Sequence, residues 1–485
     1  MRRAVLALLL LAGCGSRKTT GPRPVELLVP NDAETLDPRH ATDAYALRTT
    51  RLVHAGLVRL DPRTLEPLPY LAERWTWDDA RTLRVVLREG LRFHSGAALR
   101  PEDVVASIAA WKSPGVGSRH ARVVEAIAAV EIAPEPRTVL FRLARSHATL
   151  LTDLEIPILR ADEAALPPRP DGTLDGLGPY VVTHRDAGVI ELAPAKGAVI
   201  EAGLPLAIRT VHDENARALR MHAGRADLVV NGFSPTLLGS FGAPLSVASR
   251  PGANLTYMLP RVDRGPLADA RIRRALALAI DRARIASTLF AGHATPASTL
   301  LPEEHWAYTP LPPLAFDPAA ARALLPGPVK LTLLTSTDRL RGTIARALSQ
   351  TLVDVGIELE VVPLELGTLL ARLGAGDFEL ATLQLPELTE PNVLRTFLHS
   401  SSIPPAGANR GRVQDPELDA LLDAGDVERD PQERRKIYAR LEQLVRDRAE
   451  LIPLWHEDQI SVASARAATF RPSAEGRWLD LASLR

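Results

Sequence analysis

The sequence reads as a mixed α/β protein, α+β in arrangement, with more than one lobe. Three observations lead there. The chain has 485 residues, against ~100–200 for an ordinary domain, which implies two or three lobes. Short β-type runs alternate with amphipathic stretches from Val25 onward, with no fixed-period repeat. One segment also spells strand, helix, strand in order.

Taken along the chain, Leu83–Arg88 is strand-like, Glu89-Gly90 supplies a turn, and Leu91–His94 resumes, which predicts a hairpin. Pro101-Glu102-Asp103 then opens a helix, with proline at its first position and two acids where the helix dipole favours them. Val104, Val105 and Ile108 form its buried stripe. Asp269 is an N-cap for a helix whose Ile272, Ala275, Leu276, Ala279 and Ile280 share one face. Val329–Leu334 is a strand, Leu340 to Val355 spaces as a helix closed by Gly356, and Ile357–Val362 alternates as a strand. This is a βαβ unit. Asp430-Pro431 starts a last helix carrying Ile437, Leu441, Leu444 and Val445, and Leu451–Trp455 closes it with an apolar strand.

Composition narrows the function. Apolar residues make up 46% and charged residues 24%, the proportions of a soluble globular protein. The 58 basic residues balance the 58 acidic ones, so no net field draws the chain to nucleic acid. Only five of the basic residues are Lys, and 40 prolines point to many rigid turns. A single cysteine excludes a disulfide framework and thiolate metal clusters.

That cysteine lies in a telling place. Met1-Arg2-Arg3 is basic, Ala4–Ala12 is an apolar run far shorter than the ~20 residues that span a bilayer, and Gly13-Cys14-Gly15-Ser16 follows. This is an export signal. Leu11-Ala12-Gly13-Cys14 resembles the bacterial lipobox, which implies a signal peptide over 1–13, a lipid-modified Cys14, and a flexible tether over 14–24.

Catalytic signatures are missing: no G-x-S-x-G, P-loop, H-E-x-x-H or dinucleotide glycine fingerprint appears. None of the twelve histidines stands four residues from another His or a carboxylate, so no helical metal site is written. His212-Asp213-Glu214 and His456-Glu457-Asp458 read as ordinary polar clusters, and no cofactor is indicated.

The ordered landmarks resemble the extracytoplasmic solute-binding proteins of ABC importers, the peptide/nickel-binding family 5. They begin with Thr35-Leu36-Asp37-Pro38 and Val53-His54-Ala55-Gly56-Leu57-Val58. The most specific block follows: Leu71-Ala72-Glu73-Arg74-Trp75, then Leu87–Gly96 and Glu102-Asp103-Val104. Gly176-Leu177-Gly178-Pro179-Tyr180, Gly224-Arg225-Ala226-Asp227, Pro266–Arg282, Gly376–Leu380 and Asp419–Leu422 complete the series. Most have a plain structural role, Gly178-Pro179 as a turn and Asp269 as a cap.

The resemblance implies a bilobal, periplasmic-binding-protein-like fold closing on a solute by hinge motion, with an extra domain inserted in the N-terminal half. Lobe I takes 25–45, 175–252 and 457–485, the inserted domain 46–174, and lobe III 253–456. It implies a monomer, lipid-anchored at the outer face of the membrane, that hands a di- or oligopeptide to an ABC permease and catalyses nothing. Chelated nickel or another small solute stays open as ligand, as do a secreted hydrolase and a non-transporting envelope lipoprotein.

In peptide-binding members the ligand adds to strand edges while an acid before a proline pairs with its α-ammonium. Glu387 stands at a similar position here, followed by Thr389 and Glu390. The flanking edge is then Leu383, Gln384 and Leu385, and the opposing one lies near Thr42, Asp43, Ala44 and Tyr45. Arg410, with Arg412, is a candidate partner for a carboxylate. Two features depart from the family: Pro386 removes an N–H donor, and leucines replace the usual aromatic-glycine lead-in.

Overall fold

A computed structural model describes residues 22–118, 120–168 and 173–485. The signal peptide, Cys14 and the tether up to residue 21 lie outside the described residues.

Two large sheets organise the chain. The first has seven strands in the spatial order Ser246–Arg250, Gln459–Ala463, Leu228–Val230, Val25–Val29, Leu206–Thr210, Val189–Pro194 and Tyr180–Asp186. Val25–Val29 is parallel to both of its neighbours, and its near-continuous apolar sequence suits a strand covered on both faces. The second has six strands, in the order Ala294–Pro296, Ile452–Glu457, Leu255–Pro260, Leu380–Leu385, Val329–Ser336 and Ile357–Leu364.

Its parallel part is the expected βαβ unit. Val329–Ser336 pairs in parallel with Ile357–Leu364, and the helix Arg339–Val353 between them buries Ile344, Leu348 and Leu352. Asp338 caps that helix, and Asp43, Asp213, Asp269, Asp415 and Asp430 do the same elsewhere. Each side chain accepts from backbone N–H groups left unpaired at a helix start, a contribution of ~1 kcal/mol per cap.

A third sheet of four strands, Ala72–Trp77, Thr82–Leu87, Thr138–Leu143 and Ile127–Ile132, carries the helix Pro101–Lys112. Trp111 of that helix is buried, and its indole N–H donates to the Pro157 carbonyl at 3.1 Å.

The chain crosses between the two large sheets twice. Ser246–Arg250 leads into Leu255–Pro260, and Ile452–Glu457 into Gln459–Ala463. Asn254 ties the crossings together: its Nδ2 donates to the Glu457 carbonyl at 2.6 Å, and the Glu457 N–H donates to its Oδ1 at 2.8 Å. Gly252 fits there because a Cβ would run into the Asn254 side chain and the Glu457 carbonyl.

Two local expectations need correction. Leu83–Arg88 does not form a hairpin with Leu91–His94; Thr82–Leu87 pairs with Ala72–Trp77 and Thr138–Leu143. Leu91–Leu99 folds on itself, with Phe93 N–H donating to the Ala97 carbonyl and Leu99 N–H to that of Leu91. Strand-like sequence announces a strand, and tertiary contacts choose its partner. The helix Ala44–Val53 packs Leu52 and Val53 into the core of the seven-stranded sheet, so it belongs with that layer and not with residues 46–174. Gly178 is required by close approach, since a Cβ would overlap the backbone of Leu52 and Val53.

Candidate functional site

A cleft of about 830 Å³ lies between the two large sheets. Its walls are the carboxyl ends of their parallel strands. Pro30 follows Val25–Val29 and Asn231 follows Leu228–Val230 on one side; Ser336 ends Val329–Ser336 and Leu366 lies two residues past Ile357–Leu364 on the other. Open α/β sheets bind ligands at such ends, because side chains there converge without disturbing the strand ladders.

One strand edge opens toward this space. Leu380–Leu385 is paired along its whole length with Leu255–Pro260. On its other side it meets Val329–Ser336 only through Leu380 and Ala381. Past Ala381 no ladder pair with Val329–Ser336 is formed among the described residues, although the Thr382 hydroxyl still donates to Thr335 Oγ1 at 3.0 Å; Leu383 and Gln384 line the cleft beyond that contact. An unpaired edge of backbone N–H and C=O groups is a template for an added strand.

The charges of the wall are nearly all matched. Arg341 pairs with both carboxylate oxygens of Glu457, one of them at 2.9 Å. Burial raises the Glu457 pKa, but Arg341 outweighs it and the group lies below its ordinary range. Arg217 donates to the carbonyls of Val211, His212 and Gly232. Glu214 accepts from the Ser234 N–H, Asp338 from the Arg341 N–H at 2.9 Å, and Asp458 from the Ser249 hydroxyl.

Arg48 differs from these groups. It lines the cleft from the helix Ala44–Val53, half-buried, with its guanidinium 5.7 Å from the Tyr45 ring and 5.8 Å from that of Trp478. Among the described residues it has no hydrogen bond or ion pair.

Beside the cleft, three parts of the chain meet at Arg477. Its Nε donates to Glu387 at 3.0 Å, another of its nitrogens to Glu155, and Glu475 stands 3.8 Å away. Arg51 approaches Glu387 at 3.8 Å and Glu155 at 4.0 Å. Burial pushes the Glu387 carboxyl up, and Arg477, Arg51 and Arg48 together bring it below its ordinary pKa. For Glu475 burial wins, and its pKa is pushed up to about 7.

The residues singled out in the sequence are thus dispersed. Leu383 and Gln384 line the cleft, while Leu385 turns into the core. Glu387 holds Arg477. Glu390 is buried in a two-point pair with Arg434, at 3.2 and 2.9 Å, and accepts from Thr152. Thr389 sits between them and is absent from the cleft wall, as are Arg410 and Arg412; Arg412 donates to the Gly374 carbonyl.

Thr42–Tyr45 is not a strand edge. Asp43 caps a helix there by accepting from Tyr45 N–H and Ala46 N–H, Ala44 is its first residue, and Tyr45 faces a separate cavity of about 490 Å³. Arg48 lies about one turn further along the same helix. Arg48, Asn231 and Arg341 were not singled out, and Glu457 stood only in a cluster read as ordinary polar residues. Asn231 carries a local signal, as an Asn-Gly pair with a left-handed φ of 50° that Asn tolerates; the others have none. No three metal-ligating side chains converge among the described residues.

Comparison with known proteins agrees with this architecture. The chain belongs to the bacterial extracellular solute-binding proteins, family 5, whose middle-region model matches residues 66–403. It is 27% identical over 472 residues to a probable di/tripeptide-binding protein 5 of Pseudomonas aeruginosa, covering 87% of this chain and 88% of that one. It is 25% identical over 480 residues to the glutathione-binding protein GsiB of Salmonella typhi, covering 92% of each. The fold matches the ABC transporter substrate-binding protein CtaP of Listeria monocytogenes with a TM-score of 0.84 at 22% identity, over 95% of this chain and 99% of that one. Membership places the chain outside the cytoplasm, in a family that binds solutes. No helix among the described residues is long and apolar enough to cross a membrane.

Proposed function

We propose that this family 5 protein captures a short peptide between its two large sheets and delivers it to an ABC permease. The observation that carries the reading is the edge at Leu383 and Gln384, past the last ladder pair with Val329–Ser336, in the cleft of about 830 Å³. An extended ligand gains main-chain hydrogen bonds there that do not depend on its side chains, which suits a carrier of many sequences. The peptide-binding relatives support the same ligand class. The family binds solutes, and we read the protein as a carrier that catalyses no reaction.

Cys14, in its lipobox-like setting, would carry the lipid that holds the monomer near the permease. Titration of the purified protein with trialanine, followed by isothermal calorimetry, is expected to give saturable one-site binding. Absence of heat and of any thermal shift with trialanine and with mixed di- to pentapeptides would overturn the peptide reading.

A further inference from the structure

We propose that Arg48 binds a carboxylate of the ligand, and that Glu387 does not receive the ligand's ammonium group. The inference rests on the peptide reading above and fixes the polarity of what the cleft accepts.

Two independent observations carry it. An acid serves best as an ammonium site when no other cation neutralises it. Glu387 Oε1 is already held by the Arg477 guanidinium, at 3.0 Å through Nε and 2.9 Å through Nη2, with Arg51 3.8 Å from the same oxygen, so only Oε2 is left, beside both cations. An incoming ammonium would meet these like charges. Arg477 is itself buried and bonded to Glu155 as well, so withdrawing it would strand a second acid.

The other observation is the cleft wall. Arg341, Arg217, Glu214, Glu457, Asp338 and Asp458 all have partners within the chain. Arg48 alone among the described charged groups of that wall has none, and its guanidinium carbon lies 5.7 Å and 5.8 Å from the ring centres of Tyr45 and Trp478. A guanidinium with no partner in the chain keeps its planar fork for two carboxylate oxygens.

The test compares trialanine, N-acetyl-trialanine, trialanine amide and alanyl-aspartyl-alanine amide by calorimetry on the full mature chain. Acetylation is expected to change affinity less than threefold, and amidation to weaken it at least tenfold. Recovery in the aspartyl amide would assign the contact to any carboxylate, and no recovery to the terminal one; both support the inference. Arg48→Gln is expected to erase the acid-over-amide preference and Arg48→Lys to keep part of it, with thermal melts reporting the fold of each variant. Equal binding of acid and amide, together with loss on acetylation, overturns the inference and leaves the peptide reading intact. No binding by any of the four overturns both.

Discussion

The cleft and the charged junction beside it use the same side chains in opposite ways. At the junction, Arg477 is buried among Glu155, Glu387 and Glu475, which come from three distant parts of the chain. The adjoining cavity is only about 50 Å³, room for one or two waters, and is lined by His54 and Tyr70. Neither ring nitrogen of His54 nor the Tyr70 hydroxyl has a hydrogen-bond partner among the described residues, and burial pushes the His54 pKa down to about 4. The cleft is many times larger, its charges are matched within each wall, and Arg48 is left over. Charge that joins segments is structural, whereas charge left unmatched at an open surface is available to a ligand.

The contrast is broken most directly at Arg477. Arg477→Ala leaves three acids without their central cation and is expected to lower stability by ~3–5 kcal/mol, the range for one lost partner of a buried ion pair; urea unfolding measures it. Arg48→Gln, with no pair to break, is expected to cost less than ~1 kcal/mol. Comparable losses in the two variants would remove the distinction.

Gly252→Ala probes the crossing that joins the cleft walls. The added Cβ would displace Asn254 from Glu457 and is expected to cost ~1–3 kcal/mol, as overpacking does, with weakened trialanine binding. Unchanged affinity and melting temperature would show that this crossing tolerates movement.

The smallest effect is a pH dependence. The Glu475 carboxyl has a folded pKa pushed up to about 7 by burial, against about 4.5 as the ordinary value. A raised carboxyl binds its proton more tightly in the folded state, so this contribution is intact below pH ~4.5 and is lost as pH rises through about 7. Arg477 opposes the shift, while Glu155 and Glu387 add to it. Glu475→Gln is expected to flatten stability between pH 5 and 8 in thermal melts. An unchanged pH profile would mean that Glu475 ionises normally.

Much of the architecture was legible because it is written locally. Asp269 and Asp430 announce helices through hydrogen bonds to N–H groups two or three residues on, and the βαβ unit at 329–364 follows from periodicity alone. The landmark order identified the family, and Leu383-Gln384 was placed on the edge that lines the cleft. Less of the site could be read. Thr42–Tyr45 caps a helix, Glu390 is committed to Arg434, and Glu387 is committed to Arg477.

By itself the sequence determined the mixed α/β class, the element boundaries near their caps, the family and the absence of catalytic motifs, since each depends on residues a few positions apart or on their order. Only the tertiary structure decided which charges cancel. Arg477 is 90 residues from Glu387 and 322 from Glu155, and pairing over such separations is set by the packing of whole layers. Whether an arginine is a strut or a ligand contact depends on what the fold leaves beside it, and for Arg48 it leaves two aromatic rings and open space.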